Sequence, residues 1–126
     1  MNIPFAEHLG IRFAATTGEG RSRCELRLQP AHMNSAGVAH GGVPFTLADT
    51  GMGAALKTLL APSERCATIE MKINYHRPGA GEMLTCDSQV VHKGRTIATV
   101  ESRVSANGKL IASCLGTFVI TAEAPR

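Results

Sequence analysis

The chain holds 126 residues, 44% of them apolar, with 13 Lys and Arg against 10 Asp and Glu for a formal charge of +3. That length suits one domain spanning 1–126 rather than two, and the ordinary apolar content with 18% charged residues excludes an intrinsically disordered chain. Aromatics are scarce (four Phe, one Tyr, no Trp), so the core must rest on aliphatic, Met, Cys and Ala side chains, and a small domain so built is expected to associate with copies of itself.

The first ten residues, MNIPFAEHLG, lack a basic start, and Glu7 interrupts their apolar run, unlike a signal peptide; residues 3–9 read as a short helical turn. Strand pattern follows over 11–28, where Cys24, Leu26 and Leu28 alternate with Arg23, Glu25 and Arg27. Gly18 and Gly20 around Glu19 predict a hairpin turn. Arg21, Arg23 and Arg27 share one side of this strand and read as a solvated face, because no aromatics interleave with them as in a nucleic-acid surface. The mild positive balance does suit a small polyphosphate ligand.

Residues 30–37 form a loop. From Gly42 to Leu60 runs the only long helical pattern, with Pro44 in its first turn and Pro62 after its end. Four strand-like runs follow. Residues 68–76 alternate strictly, with Ile69, Met71, Ile73 and Tyr75 on one face and Thr68, Glu70, Lys72, Asn74 and His76 on the other. Leu84–Val91, Thr96–Val104 and Leu110–Thr121 complete the set, joined by turns at His92–Arg95 and at Asn107-Gly108, a favoured hairpin pair. The last run is apolar on both faces and is expected inside the sheet. No apolar stretch approaches the ~20 residues of a membrane span. The order β–β, one helix, four antiparallel strands predicts an α+β fold with the helix on one face of the sheet.

The four cysteines, Cys24, Cys66, Cys86 and Cys114, have neither C-x-x-C nor zinc-site spacing. They are expected to be reduced, as in a cytoplasmic protein. Gly51 and Gly53 lie inside the helix, where each costs about 1 kcal/mol relative to Ala; a close approach of sheet or partner helix would account for them. Asp49 is the helix's only carboxylate. It belongs either to a plain polar stripe of Thr46, Asp49, Thr50, Gly53 and Lys57, or to a site. Just upstream, Gly41 and Gly42 leave backbone N–H groups uncovered at the positive end of the helix dipole, a place to hold an anion or a developing oxyanion. Asn34 precedes them. Donor, acid and polar positioner together describe one pocket.

Asn34, His40-Gly41-Gly42 and Leu47-Ala48-Asp49-Thr50 resemble the signature of hotdog-fold acyl-CoA thioesterases of the PaaI-like, phenylacetate-degradation type. Ile73-Asn74-Tyr75-His76-Arg77-Pro78, Lys93-Gly94-Arg95, Gly108-Lys109-Leu110-Ile111-Ala112 and Gly116-Thr117-Phe118 are similar too, so the resemblance runs from Asn34 to Thr121. It implies a hotdog fold, one long central helix wrapped by an antiparallel sheet, and hydrolysis of an aromatic or medium-chain acyl-CoA. Under it Asp49 is the general base or nucleophile, and the Gly41 N–H is the oxyanion donor. Asn34 positions the carbonyl or the water, and Thr68 stands where related enzymes carry a hydroxyl that places the water. The site would lie between two subunits of a dimer or tetramer, with Asn34 and Asp49 contributed by different chains. Lys93, Gly94, Arg95 and Thr96 would meet the pantetheine and phosphates of CoA, where cations suit the ligand's charge. His40 would fix the loop, and Gly42, Phe45, Asn74 and His76 would complete the substrate contacts, Phe45 and His76 toward the acyl group.

No cofactor is implied. His32, His76 and His92 lack metal-ligand spacing, so no metal is expected, and no G-x-S-x-G elbow points to a serine hydrolase. Two other readings stay open on the residues: a hotdog hydratase or dehydratase using His40, and a non-catalytic acyl-CoA binder.

Overall fold

The computed structural model describes residues 2–14 and 18–122. In chain order these form helix α1 (Pro4–Leu9), strands β1 (Ile11–Phe13) and β2 (Arg21–Arg27), a single 3₁₀ turn (Pro30–His32), helix α2 (Gly42–Lys57), and strands β3 (Glu64–Tyr75), β4 (Met83–Lys93), β5 (Ile97–Ala106) and β6 (Lys109–Ala122). Residues 15–17 of the predicted strand region lie outside the described residues. The expected turn at 18–20 is present: Arg21 N–H donates to the Gly18 carbonyl at 3.1 Å. Asn107 and Gly108 close the β5–β6 hairpin with φ of 52° and 75°, the left-handed pair that a two-residue turn requires.

The six strands form one antiparallel sheet in the order β1-β2-β4-β5-β6-β3. β6 is therefore internal, as its two apolar faces require, and β3 crosses to the far edge. α2 packs across one face, against β2, β4, β5 and β3. It ends three residues before the expected Leu60; Thr58, Leu59 and Leu60 instead make i→i−3 bonds to Ala55, Leu56 and Lys57, the tighter winding common at helix ends. No helix among the described residues is long and apolar enough to cross a membrane.

The core matches the aromatic-poor composition. Its fully buried large side chains are Leu26, Leu47, Met52, Leu56, Leu84, Val100 and Val104, with Phe118 as the single ring among them. Between α2 and the sheet, however, lies a polar row. Ser22, Ser88 and Ser102 are cross-strand neighbours on β2, β4 and β5, and all three are buried. Ser22 Oγ donates to the Gly51 carbonyl at 2.6 Å and Ser102 Oγ to the Ala48 carbonyl at 3.4 Å, while Ser88 and Ser102 share a short hydrogen bond. Every buried hydroxyl here has a partner, which removes the penalty of burying it. A Cβ at Gly51 would stand 2.7 Å from Ser88 Oγ and 3.2–3.3 Å from the sulfurs of Cys86 and Cys24. The close approach expected of the helix glycines is thus real at Gly51. At Gly53 the nearest atom, on Phe118, is 4.0 Å away, so the sheet does not demand a glycine there.

The strict alternation expected over 68–76 does not hold. β3 carries a bulge between Thr68 and Glu70, leaving Ile69 without a partner on β6. One extra residue reverses which face the following side chains occupy. Thr68, expected on the polar face with Glu70, instead pairs with buried Phe118 on the helix side, where Met71 and Ile73 also pair with Gly116 and Cys114. Ile69, expected beside Met71, is 54% exposed.

These contacts separate the two helix glycines by experiment. Gly51→Ala should lower the unfolding free energy by about 1–3 kcal/mol through overpacking, whereas Gly53→Ala should leave it unchanged or raise it by up to ~1 kcal/mol through helix propensity. Urea denaturation of the two variants reads both.

Candidate active site

The segment before α2 is held by its own polar groups. Asn34 Oδ1 accepts from the N–H groups of Ala36 (2.9 Å) and Val38 (3.2 Å), a local turn that leaves the carboxamide NH₂ free to donate outward. His40 Nδ1 accepts from Gly42 N–H at 2.9 Å, and the His40 carbonyl accepts from Val43 N–H at 2.8 Å. The His40 ring thus ties the loop to the helix start as an acceptor. With the Gly42 and Val43 donors occupied, the Gly41 N–H is left without an acceptor among the described residues, at the N-terminus of a 16-residue helix. Such a donor, backed by the helix dipole, is suited to an oxyanion.

A second clamp holds the same peptide. The Tyr75 hydroxyl donates to the Gly41 carbonyl, and a Cβ at Gly41 would stand 3.2 Å from that hydroxyl. Burial, reinforced by nearby Cys114, pushes the Tyr75 phenol above its ordinary range, which keeps it a donor. Nothing in the sequence marks this pairing, because the partners lie 34 residues apart.

Asp49 sits two turns into α2, partly exposed. Thr68 Oγ1 donates to its Oδ1 at 2.7 Å, a contact that exists because the bulge turns Thr68 inward. Oδ2 is left as the free carboxylate oxygen. The two residues open on a cavity of about 300 Å³. Its helix wall is Asp49, Thr50, Gly53, Ala54 and Lys57, and its sheet wall includes Cys66 and Phe118. Four of the five residues of the polar stripe read from the sequence, all but Thr46, therefore also line a pocket.

Within one chain the donor and the acid do not converge. Asn34, Gly41, Pro44, Tyr75 and His76 line a different cleft, of about 390 Å³. The reason is the helix itself: eight residues between Gly41 and Asp49 amount to about 12 Å of axial rise. His76, expected near the acyl group, lines the Asn34 cleft, with its Nε2 2.9 Å from Ser113 Oγ. Gly42, Phe45, Asn74, Lys93, Gly94, Arg95 and Thr96 line neither cavity. Lys93 ends β4 and the last three form the β4–β5 turn, closed by Gly94 N–H to the Ile97 carbonyl (2.8 Å) and tied to β6 by Ile120 N–H to the Thr96 carbonyl (2.7 Å). Ile120 pairs with Cys66, so the turn stands one strand from the Asp49 cavity. No cluster of three metal-ligating side chains occurs among the described residues.

Residues 36–112 match the model of the thioesterase superfamily, over half of the chain. The chain belongs to the thioesterase superfamily. Human acyl-coenzyme A thioesterase 13 is 32% identical over 115 residues, covering 86% of this chain and 79% of that protein. Among solved structures, a conserved protein of Pseudomonas aeruginosa superposes with a TM-score of 0.92 at 33% identity, covering 96% of both chains. A Bacillus halodurans protein solved with CoA gives 0.89 at 28% identity, covering 98% of this chain and 82% of its own. A variant of the phenylacetic acid degradation protein PaaI from Thermus thermophilus gives 0.84 at 29%, covering 93% and 98%. The fold is thus the PaaI-like hotdog of this superfamily, and the protein is a thioester hydrolase.

In this thioesterase the Tyr75 clamp can be tested without assaying turnover. Tyr75→Phe should speed amide hydrogen exchange at Gly42 and Phe45, the groups flanking the Gly41 carbonyl, while costing about 1 kcal/mol or less of global stability.

Proposed function

We propose that the protein hydrolyses acyl-CoA thioesters at a site shared between two copies of the chain. The observation that carries this reading is the separation of donor and acid along one helix. A thioester carbonyl needs its oxygen within about 3 Å of an N–H and its carbon near the attacking group, which a 12 Å interval on one rod prevents. A second copy supplies the missing half: Asn34 and Gly41 of one subunit face Asp49 and Thr68 of the partner subunit. β3 offers the edge for that association, being 12 residues long, mostly exposed and paired on one side only, by β6; a long open edge is a template for strand pairing.

In the proposed reaction the thioester oxygen accepts from the Gly41 N–H while the Asn34 carboxamide orients it. Asp49, its Oδ1 held by Thr68, uses Oδ2 either to take a proton from the attacking water or to attack the carbonyl carbon itself. In the first route hydroxide adds to that carbon, the oxyanion collapses, and the C–S bond breaks to release CoA, whose sulfur takes up the proton. In the second, Oδ2 adds to the carbon, the oxyanion collapses with loss of the CoA thiolate to leave an Asp49–acyl anhydride, and water opens that anhydride to the acid and Asp49, whose proton passes to the CoA sulfur. The Lys93–Thr96 segment, carrying Lys93 and Arg95, is assigned to the CoA phosphates. Likeness to PaaI makes aromatic acyl-CoAs such as phenylacetyl-CoA the first substrates to try, with medium-chain acyl-CoAs next. The four free thiols suit a reducing cytoplasm.

Thiol release across a panel of acyl-CoAs tests the activity, and Asp49→Ala should reduce it at least ~10³-fold while thermal unfolding stays cooperative. Tight acyl-CoA binding with no thiol released by the wild type would replace the enzyme with a binding protein, and hydration of an enoyl-CoA without thiol release would replace it with a hydratase. The shared site has its own signature. Mixing Asn34→Ala with Asp49→Ala subunits should restore roughly a quarter of wild-type activity, because half the dimers would then hold one intact site of two. No recovery on mixing would place all groups in one chain.

A further inference from the structure

The cavity that opens at Asp49 ends on a cation. Lys57, the last residue of α2, lines the same wall two turns on. Between them the lining is mostly apolar, with Gly53 and Ala54 on the helix, Cys66, Ala67 and Phe118 on the sheet and Ile3 beside them, while Thr50, Thr68 and Asn2 add polar groups. Lys57 is exposed, and its ammonium makes no hydrogen bond or salt bridge among the described residues. The Cys66 thiol lies within reach of both ends: burial pushes it up, Lys57 draws it down and Asp49 pushes it up again.

We propose that Lys57 makes the enzyme selective for acyl groups that end in a carboxylate, the half-thioesters of dicarboxylic acids. This rests on the acyl-CoA reading above. With the thioester carbon at Asp49, the acyl chain runs along this mostly apolar lining toward Lys57. The two residues are about 12 Å apart along the axis, and helical side chains lean toward the helix N-terminus, so the ammonium reaches back toward Asp49. A plain acyl chain offers the hydrated ammonium no partner; a distal carboxylate would pair with it in a charge-assisted hydrogen bond. The pairing lies far from the reacting carbon, so it acts on binding rather than on the chemical step. A lysine at a helix C-terminus also complements the dipole, but that effect is blind to the acyl group.

The test compares thiol release from matched pairs, glutaryl- against pentanoyl-CoA, adipoyl- against hexanoyl-CoA and suberoyl- against octanoyl-CoA, in the wild type, Lys57→Met and Lys57→Arg. At least one pair should favour the dicarboxylic member in kcat/KM by about tenfold in the wild type. That ratio should collapse in Lys57→Met, mainly through KM, and survive in Lys57→Arg. A wild-type preference for the plain chain in every pair, or a ratio that Lys57→Met leaves unmoved, overturns the inference while leaving the thioesterase reading intact. Failure of every acyl-CoA to release thiol overturns both.

Discussion

The close approach of α2 to the sheet at Gly51 is the constraint on which the rest of the structure depends. A glycine there lets three strands bring the Ser22–Ser88–Ser102 row up to the helix backbone, so that hydroxyls bond the Gly51 and Ala48 carbonyls. An aromatic-poor chain cannot fill a wide gap between layers. It closes the gap instead, and Leu26, Leu47, Leu84 and Val100 then suffice to fill the core. The hydroxyl-to-carbonyl bonds are directional where apolar packing is not, and they fix both the rotation and the height of α2 over the sheet.

What α2 carries is placed by that docking. With Gly51 turned to the sheet, Asp49, Gly53 and Lys57 turn toward the edge formed by β3. The helix start is pinned separately, by His40 on the Gly42 N–H and by Tyr75 on the Gly41 carbonyl. The Gly41 N–H and the Asp49 carboxylate are thus held rigidly and held apart. Rigidity is what catalysis asks of an oxyanion donor, and separation is what makes a second copy part of the proposed chemistry.

Much of the fold was legible in the sequence because its signals are local. The single helix shows in the 42–60 pattern and its flanking prolines, the β5–β6 turn in Asn107-Gly108, and the internal position of β6 in its two apolar faces. The bulge at Ile69 was not legible, since an apolar residue in an alternating run reads as one more inward step. Only the partner strand shows that it has no place. The helix end was overrun because Leu59 and Leu60 continue an apolar pattern that the backbone abandons for tighter turns. At the site, the Gly41 donor could be read from a Gly pair ahead of a helix. The Tyr75 clamp and the Thr68–Asp49 contact could not, as each joins residues far apart in sequence, and the second depends on the bulge as well.

The single rod that bears both groups has a further consequence in a shared-site dimer. Under the proposal each α2 would present Gly41 to one thioester and Asp49 to the other, so no movement of the helix could improve one site in isolation. A slide along its axis that draws the donor toward a bound carbonyl shifts the acid of the opposite site by the same amount. In the proposed dimer, occupancy of the first site would thereby be felt at the second without any dedicated relay, through the length of one secondary-structure element.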